Sequence, residues 1–272
     1  MLATRSTGHG PTVLLVHGWS GFKEAWGDLP DALAAAGRQA LAVDLPGWGQ
    51  TPDPPGFAHR PQDYADALEP MAERDGPLDV VGHSMGTQAA LLLALRLPAR
   101  VRRMVLIAPA AVPAAPVAGM PGSLAELVSL PVAGGLVLAL TLGWLRWMPE
   151  RVWLDILKKT VADPDRAAAD PRLEALAHEA VRGFRRTHTR VLARAYRAAA
   201  ATDLRPLAAG ARQPTLVVIG ERDSTVHPGE AVSLSGALPA GRMLRVPRAG
   251  HLPHLERPDM VVPAVVEHVV GG

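Results

Sequence analysis

A chain of 272 residues with a formal net charge of +2 has room for one α/β domain carrying an insertion, and its charge is too balanced to draw it to polyanions. No dense basic stretch is interleaved with aromatics, so nucleic acid is not an expected partner. The absence of cysteine excludes disulfides, thiolate metal sites and a cysteine nucleophile, and Met1 to Thr7 hold no apolar stretch of a secretory leader, so the expected location is cytoplasmic.

In chain order, the apolar run 12–17 predicts a strand that ends at His17-Gly18-Trp19. A turn of that kind can aim the backbone N–H of Trp19 at a developing oxyanion. A helix near 23–36 and a strand over 39–43 follow, then a loop over 44–60 that Asp44 opens as a turn former. A helix near 61–74 leads to a strand over 78–82, which runs into Gly82-His83-Ser84-Met85-Gly86. Glycine two residues to each side of a serine, between a strand and a run of helix formers over 85–97, is the pattern of a nucleophile elbow. The tight turn leaves no room for Cβ atoms at its flanks. Ser84 therefore falls at a helix start, beside unpaired N–H groups, with the Met85 N–H as a second oxyanion donor.

A strand over 101–107 is followed by a block from about 112 to 205 in which helical patterns dominate. Alternation then resumes with a strand over 214–219, a helix over 229–238, a strand over 242–246 and a helix over 258–269. Alternating apolar strands and helices imply a mostly parallel, doubly wound α/β sheet covered on both faces. The hydroxyl of Ser84 needs a base, and the base needs an acid to orient it. Asp223 lies in the loop after strand 214–219 and His251 follows Gly250 after strand 242–246, both at the carboxyl edge where open α/β sheets place their sites. Glu221 and Asp203 compete for the acid and His254 for the base. Loop position favours Asp223 and the Gly-His turn favours His251.

His17-Gly18-Trp19, Asp44 to Gly49, Gly82 to Gly86, Gly220 to Asp223 and Gly250-His251 stand in the order and spacing of the α/β-hydrolase family, in its cap-bearing, serine-nucleophile, esterase- and lipase-like branch. The chain resembles that family along nearly its whole length. The resemblance implies a core of residues 1–111 and 206–272 and a helical cap over 112–205. It implies Ser84, Asp223 and His251 as the catalytic triad, the N–H groups of Trp19 and Met85 as the oxyanion hole, and His17, Gly18, Gly82 and Gly86 as the supporting turn. His83 reads as a packing residue of the elbow and His254 as a structural or substrate-contacting one. Relatives often begin with two antiparallel strands. With about eleven residues ahead of the first clear strand, one of them is expected to be missing or very short. No cofactor is implied, and no cluster of His and carboxylates has metal spacing.

The insertion opens with a Pro/Ala/Gly-rich connector from Val112 to Gly122, and Leu127 to Leu145 carries no charge. Pro131, Gly134 and Gly135 within that run favour buried or pocket-lining helices over a membrane span, with a weak membrane-surface contact as the second reading. Arg182, Arg185, Arg186, Arg190, Arg194 and Arg197 read as a solvated face, the alternative being a site for anionic lipid heads or an acidic substrate tail. An apolar cap suits a hydrophobic small-molecule substrate. The leading expectation is a serine esterase for medium-chain or aromatic acyl groups. A C–C bond hydrolase, a thioesterase, a cyclase and a non-catalytic receptor stay open, whereas epoxide and haloalkane chemistry need an aspartate where Ser84 stands. The oligomeric state is not legible.

Overall fold

A computed structural model describes residues 1–111 and 133–271. The connector from Val112 to Gly122 and residues 127–132 of the uncharged run lie outside them. Seven strands, β1 (Thr4–Thr7), β2 (Thr12–Val16), β3 (Gln39–Val43), β4 (Leu78–His83), β5 (Val101–Ile107), β6 (Thr215–Gly220) and β7 (Gly241–Val246), form one sheet in the order β1-β3-β2-β4-β5-β6-β7. Every pair is parallel except β1 with β3. β1 is the short antiparallel edge strand, with Thr4 opposite Val43 and four residues in all. β2 and β6 are buried along their whole length. That is what a central parallel strand requires, and it explains their unbroken apolar runs. Each fully buried Leu or Val there contributes about 1.5–3 kcal/mol of transfer free energy.

Helices α1 (Leu29–Ala35), α2 (Pro61–Asp75) and α3 (Gly86–Arg96) connect the first five strands. α1 starts later than the expected 23–36. Gly27 sits at φ +55°, Pro30 occupies the first turn, and the Lys23 N–H is drawn to the Asp44 carboxylate at 2.8 Å, so residues 23–28 form turns instead. Between β5 and β6 the chain builds α4 (Ala133–Leu145), α5 (Glu150–Lys158), α6 (Pro164–Ala169), α7 (Pro171–Arg186), α8 (Thr189–Ala200) and α9 (Arg205–Ala208). α10 (Pro228–Ala237), α11 (Pro253–Glu256) and α12 (Pro258–Val270) complete the fold, with α1 packed on α12 and α2 on α3.

The two ends of the insertion are fastened together. Leu204 N–H donates to the Ala111 carbonyl at 2.8 Å, and the buried Gln88 amide of α3 donates to the carbonyls of Ala110 (2.8 Å) and Ala199 (2.9 Å). α4 packs on α8 and α5 on α7. The expectation that the uncharged run is buried needs correcting on one face of α4. Leu138 and Leu142 are buried, but Leu136, Leu140 and Trp144, spaced one turn apart, are 64%, 65% and 63% exposed. Among the described residues no helix is long and apolar enough to cross a membrane.

Candidate active site

The turn after β4 holds Ser84 at φ +50°, a left-handed conformation that costs a non-glycine residue on the order of 1 kcal/mol or more. Neighbouring backbone holds it there. Ser84 N–H donates to the Ile107 carbonyl of β5 at 2.9 Å, and the Ser84 carbonyl accepts from the Thr87 N–H (3.0 Å) and hydroxyl (2.5 Å). The flanking glycines answer to close approach. A Cβ on Gly86 would stand 2.2 Å from the Val16 carbonyl oxygen, and one on Gly82 2.8 Å from the Gly86 carbonyl oxygen. α3 can thus lie against β2 and present the hydroxyl at the sheet's carboxyl edge.

Three side chains meet at that edge. His251 Nε2 lies 3.1 Å from Ser84 Oγ, and His251 Nδ1 lies 2.9 Å from Asp223 Oδ2. The other Asp223 oxygen accepts the N–H groups of Thr225 (2.8 Å) and Val226 (2.9 Å), so the buried carboxylate is fixed on both sides. An ionised carboxylate only accepts, so Nδ1 carries the proton and the Nε2 lone pair faces the serine. The two loops can meet because Gly220 has no side chain. A Cβ on Gly220 would stand 2.1 Å from the Gly250 carbonyl oxygen.

The Gly18-Trp19 turn lies beside the hydroxyl. A Cβ on Gly18 would be 2.9 Å from the Ser84 Cβ. His17 fixes this turn, with Nδ1–H donating to the Gly18 carbonyl at 2.8 Å and Nε2 accepting the Leu45 N–H at 3.1 Å. Burial lowers the His17 pKa and keeps the ring in this neutral form. Among the described residues, neither the Trp19 nor the Met85 N–H donates to a carbonyl outside the regular elements.

Two more histidines pack behind the triad. His83 Nε2–H donates to the His251 carbonyl at 2.9 Å, and its ring centroid is 5.0 Å from those of both His251 and His254. Burial, then the neighbouring His251 and His254, push the His83 pKa well below the usual imidazole value. Burial takes His254 down to about 4, and its Nε2–H reaches the Ala25 carbonyl at 3.3 Å. His254 contacts Trp26 at a centroid distance of 5.6 Å, a packing position. The other competitors lie elsewhere. Glu221 is exposed, and Asp203 binds the Arg205 guanidinium at 2.5 Å. Among the described residues no cluster of three or more His, Asp or Glu is arranged to hold a metal.

The indole of Trp19 joins core to insertion. Its Nε1–H donates to the Leu192 carbonyl of α8 at 2.9 Å, and its ring contacts Trp48, Phe184 and Tyr196 at centroid distances of 6.4, 6.0 and 5.9 Å. Trp153 of α5 extends the cluster through Phe184 at 4.1 Å.

Three features were not read from the sequence. Asp44 is more than a turn former, since its buried carboxylate binds Lys23 Nζ at 2.9 Å and the Gln50 N–H at 2.9 Å. Burial opposes the Lys23 charge, but its hydrogen bonds to Asp44 and Glu24 outweigh this and hold its pKa above the usual value. Asp53 bridges Arg190 of α8 (2.9 Å) to buried His59 (3.1 Å), which contacts the Tyr64 hydroxyl at 3.0 Å. Glu256 binds backbone on either side of His251. An acidic residue in the first turn behind Pro253 was the available signal, since such a carboxylate can reach back to N–H groups ahead of its helix.

Residues 13–264 match the Alpha/beta hydrolase family. A pimeloyl-[acyl-carrier protein] methyl ester esterase of Neisseria meningitidis is 30% identical over 261 residues, covering 96% of this chain and 93% of the relative. An sn-1-specific diacylglycerol lipase, ABHD11 of Mus musculus, is 27% identical, covering 94% of this chain and 80% of the relative. An esterase structure from Exiguobacterium antarcticum superposes with a TM-score of 0.80 over 98% of this chain and 95% of that one, at 18% identity, a likeness of fold. The chain belongs to the alpha/beta hydrolase family, and the protein is an enzyme of that family.

Proposed function

We propose that the protein is a serine hydrolase that cleaves carboxylic esters of hydrophobic acyl groups through an acyl-enzyme. The observation that carries this reading is the continuous chain from Ser84 Oγ through His251 to Asp223, at 3.1 and 2.9 Å. In this mechanism His251 Nε2 takes the Ser84 proton as Oγ attacks the ester carbonyl carbon. The N–H groups of Trp19 and Met85 receive the oxyanion, and Asp223 stabilises the imidazolium. His251 then protonates the departing alkoxide, the alcohol leaves, and water attacks the acyl-Ser84 ester by the same route to release the acid. Residues 1–111 and 206–272 supply this machinery, and residues 112–205 form a cap over it.

The hydrophobic acyl preference rests on the aromatic cluster of Trp19, Phe184, Tyr196 and Trp153, which begins at the residue whose N–H serves the oxyanion. The two curated relatives, one named for a methyl ester and one for a diacylglycerol, agree with ester chemistry on acyl groups. A C–C hydrolase would recruit cap arginines for a second carboxylate. Arg182 and Arg186 pair with Glu179, and Arg190 with Asp53, which favours the ester reading. The exposed face of α4, with Trp147 86% exposed beside it, supports a weak contact with a membrane surface. Replacing Trp144 and Trp147 by serine is expected to lower co-flotation with phosphatidylglycerol vesicles, and unchanged flotation would refute that contact.

The test is hydrolysis of p-nitrophenyl esters from acetyl to palmitoyl, with Ser84→Ala measured beside the wild type. Activity that peaks at mid-length chains and vanishes in the variant is the expected result. A folded protein inert toward the whole series would overturn the esterase reading.

A further inference from the structure

The backbone around His251 is held from two sides. Glu256 Oε1 accepts the N–H groups of Gly250 (2.9 Å) and Leu252 (3.1 Å), the two neighbours of the histidine. The N–H of His251 itself donates to the Thr160 carbonyl at 2.7 Å, and Thr160 belongs to the turn after α5 in the insertion. Glu256 Oε2 closes the figure by accepting the N–H of Ala162 in that turn at 2.7 Å, along with Gly250 N–H at 3.0 Å. The same turn also accepts the Ser224 hydroxyl, next to Asp223, at the Lys159 carbonyl (3.0 Å). The fit is close: a Cβ on Gly250 would stand 2.6 Å from the Thr160 carbonyl oxygen and 2.9 Å from the Ala162 nitrogen.

We infer that Glu256 is a positioning residue that clasps the His251 loop to the insertion, so that the cap turn 159–162 sets the placement of the general base. The inference rests on the esterase reading of the site. Only a carboxylate meets this demand. All the groups facing it are donors, and it offers about four acceptor positions and no N–H of its own. Hydrogen bonds to a charged acceptor are also the stronger kind. His251 Nε2 must stay aligned with Ser84 Oγ, and a misplacement of about 1 Å can cost on the order of 100-fold in rate. Without the clasp, the Thr160 carbonyl would be the remaining hydrogen-bond tie of the His251 backbone to the insertion among the described residues. The position of the insertion over the substrate is thereby coupled to the position of the base.

The test compares Glu256→Gln, Glu256→Ala and Ala162→Pro with the wild type. Ala162→Pro deletes the insertion's N–H donor and leaves the core untouched. Active sites are counted by fluorophosphonate labelling of Ser84, kcat and KM are measured with p-nitrophenyl butyrate, and folding is checked by thermal melting. The expected result is a fall in kcat per labelled site of about 10-fold for Glu256→Gln and about 100-fold for Glu256→Ala, with KM unchanged. Ala162→Pro should also lower kcat, and combining it with Glu256→Gln should cost less than the product of the two single effects. Should Glu256→Ala fail to fold, Glu256→Gln and Ala162→Pro carry the test. Wild-type kcat per labelled site in the Glu256 variants would reduce the residue to a structural one and overturn the inference. A rise in KM alone would overturn it as well, by assigning the clasp to substrate fit. A wild type that the fluorophosphonate does not label would instead overturn the esterase reading, and this inference with it.

Discussion

β2 and β6 are buried at every position, whereas α6 in the insertion buries no residue and α5 only Trp153. The sheet fixes its loops by backbone contact, through glycines that leave no room for a methyl group. Within the insertion α8 buries five residues in the core, whereas the turn between α5 and α6 meets the core through directed contacts against His251. The contrast teaches a division of labour. Geometry that must hold to within a fraction of an ångström is built where packing is dense. Surfaces that meet a substrate are built where packing is sparse and tolerant of change.

If that division holds, substitutions at the sheet edge should strike kcat or stability, and substitutions in the insertion, apart from the turn 159–162 that holds His251, should strike KM. The largest effect is expected at the triad. Ser84→Ala and His251→Ala should each lower kcat by about 10³-fold or more in stopped or continuous ester assays, with thermal melting unchanged. Next comes Asp44→Ala, which leaves the buried Lys23 ammonium with the half-exposed Glu24 carboxylate in place of its buried partner. Urea unfolding should show a loss of about 3–5 kcal/mol, against under about 1 kcal/mol for removing the more exposed Arg190–Asp53 pair by Arg190→Gln. A reversed ranking would break the comparison.

Acid should expose the same contrast. His17, His83 and His254 are all held below the ordinary imidazole value, so the unfolded chain binds more protons than the native one as pH falls beneath 6.5. Their contribution is complete above pH 6.5 and is lost progressively toward about pH 4 for His254, on the order of 3 kcal/mol for that residue alone. Urea midpoints at pH 7, 5.5 and 4.5 measure it, and His254→Gln should flatten the curve. The smallest effect belongs to the seam between core and insertion. Trp19→Phe removes the bond to Leu192 while keeping a ring, and should raise KM for octanoyl esters by about 5-fold, roughly 1 kcal/mol, with kcat little changed.

How much of this was legible in the sequence follows the same line. Strands with unbroken apolar runs, the glycines of the elbow and the order Ser84, Asp223, His251 are local patterns, and the structure brings those three side chains within hydrogen-bond reach of one another. The start of α1 was misjudged because the pull of Asp44 on Lys23 spans 21 positions and outweighs local helix propensity. Arg190 with Asp53, and Glu256 with Ala162, pair residues far apart in the chain, and nothing in one sequence marks such partners. The exposed face of α4 was hidden for another reason: an uncharged run shows that a segment is apolar, not which side of it finds a neighbour.

The bond between Ala111 and Leu204, with the Gln88 amide reaching the carbonyls of Ala110 and Ala199, bears on how this architecture can change. A long excursion that leaves and returns at one stapled gate has its chain-closure cost met locally, and that cost grows only slowly with length. Insertions of different size can therefore be exchanged at this gate without disturbing the strands on either side. A transplant would inherit the serine and its acid partner intact. It would still have to bring a carbonyl and an N–H of its own to where Thr160 and Ala162 now stand.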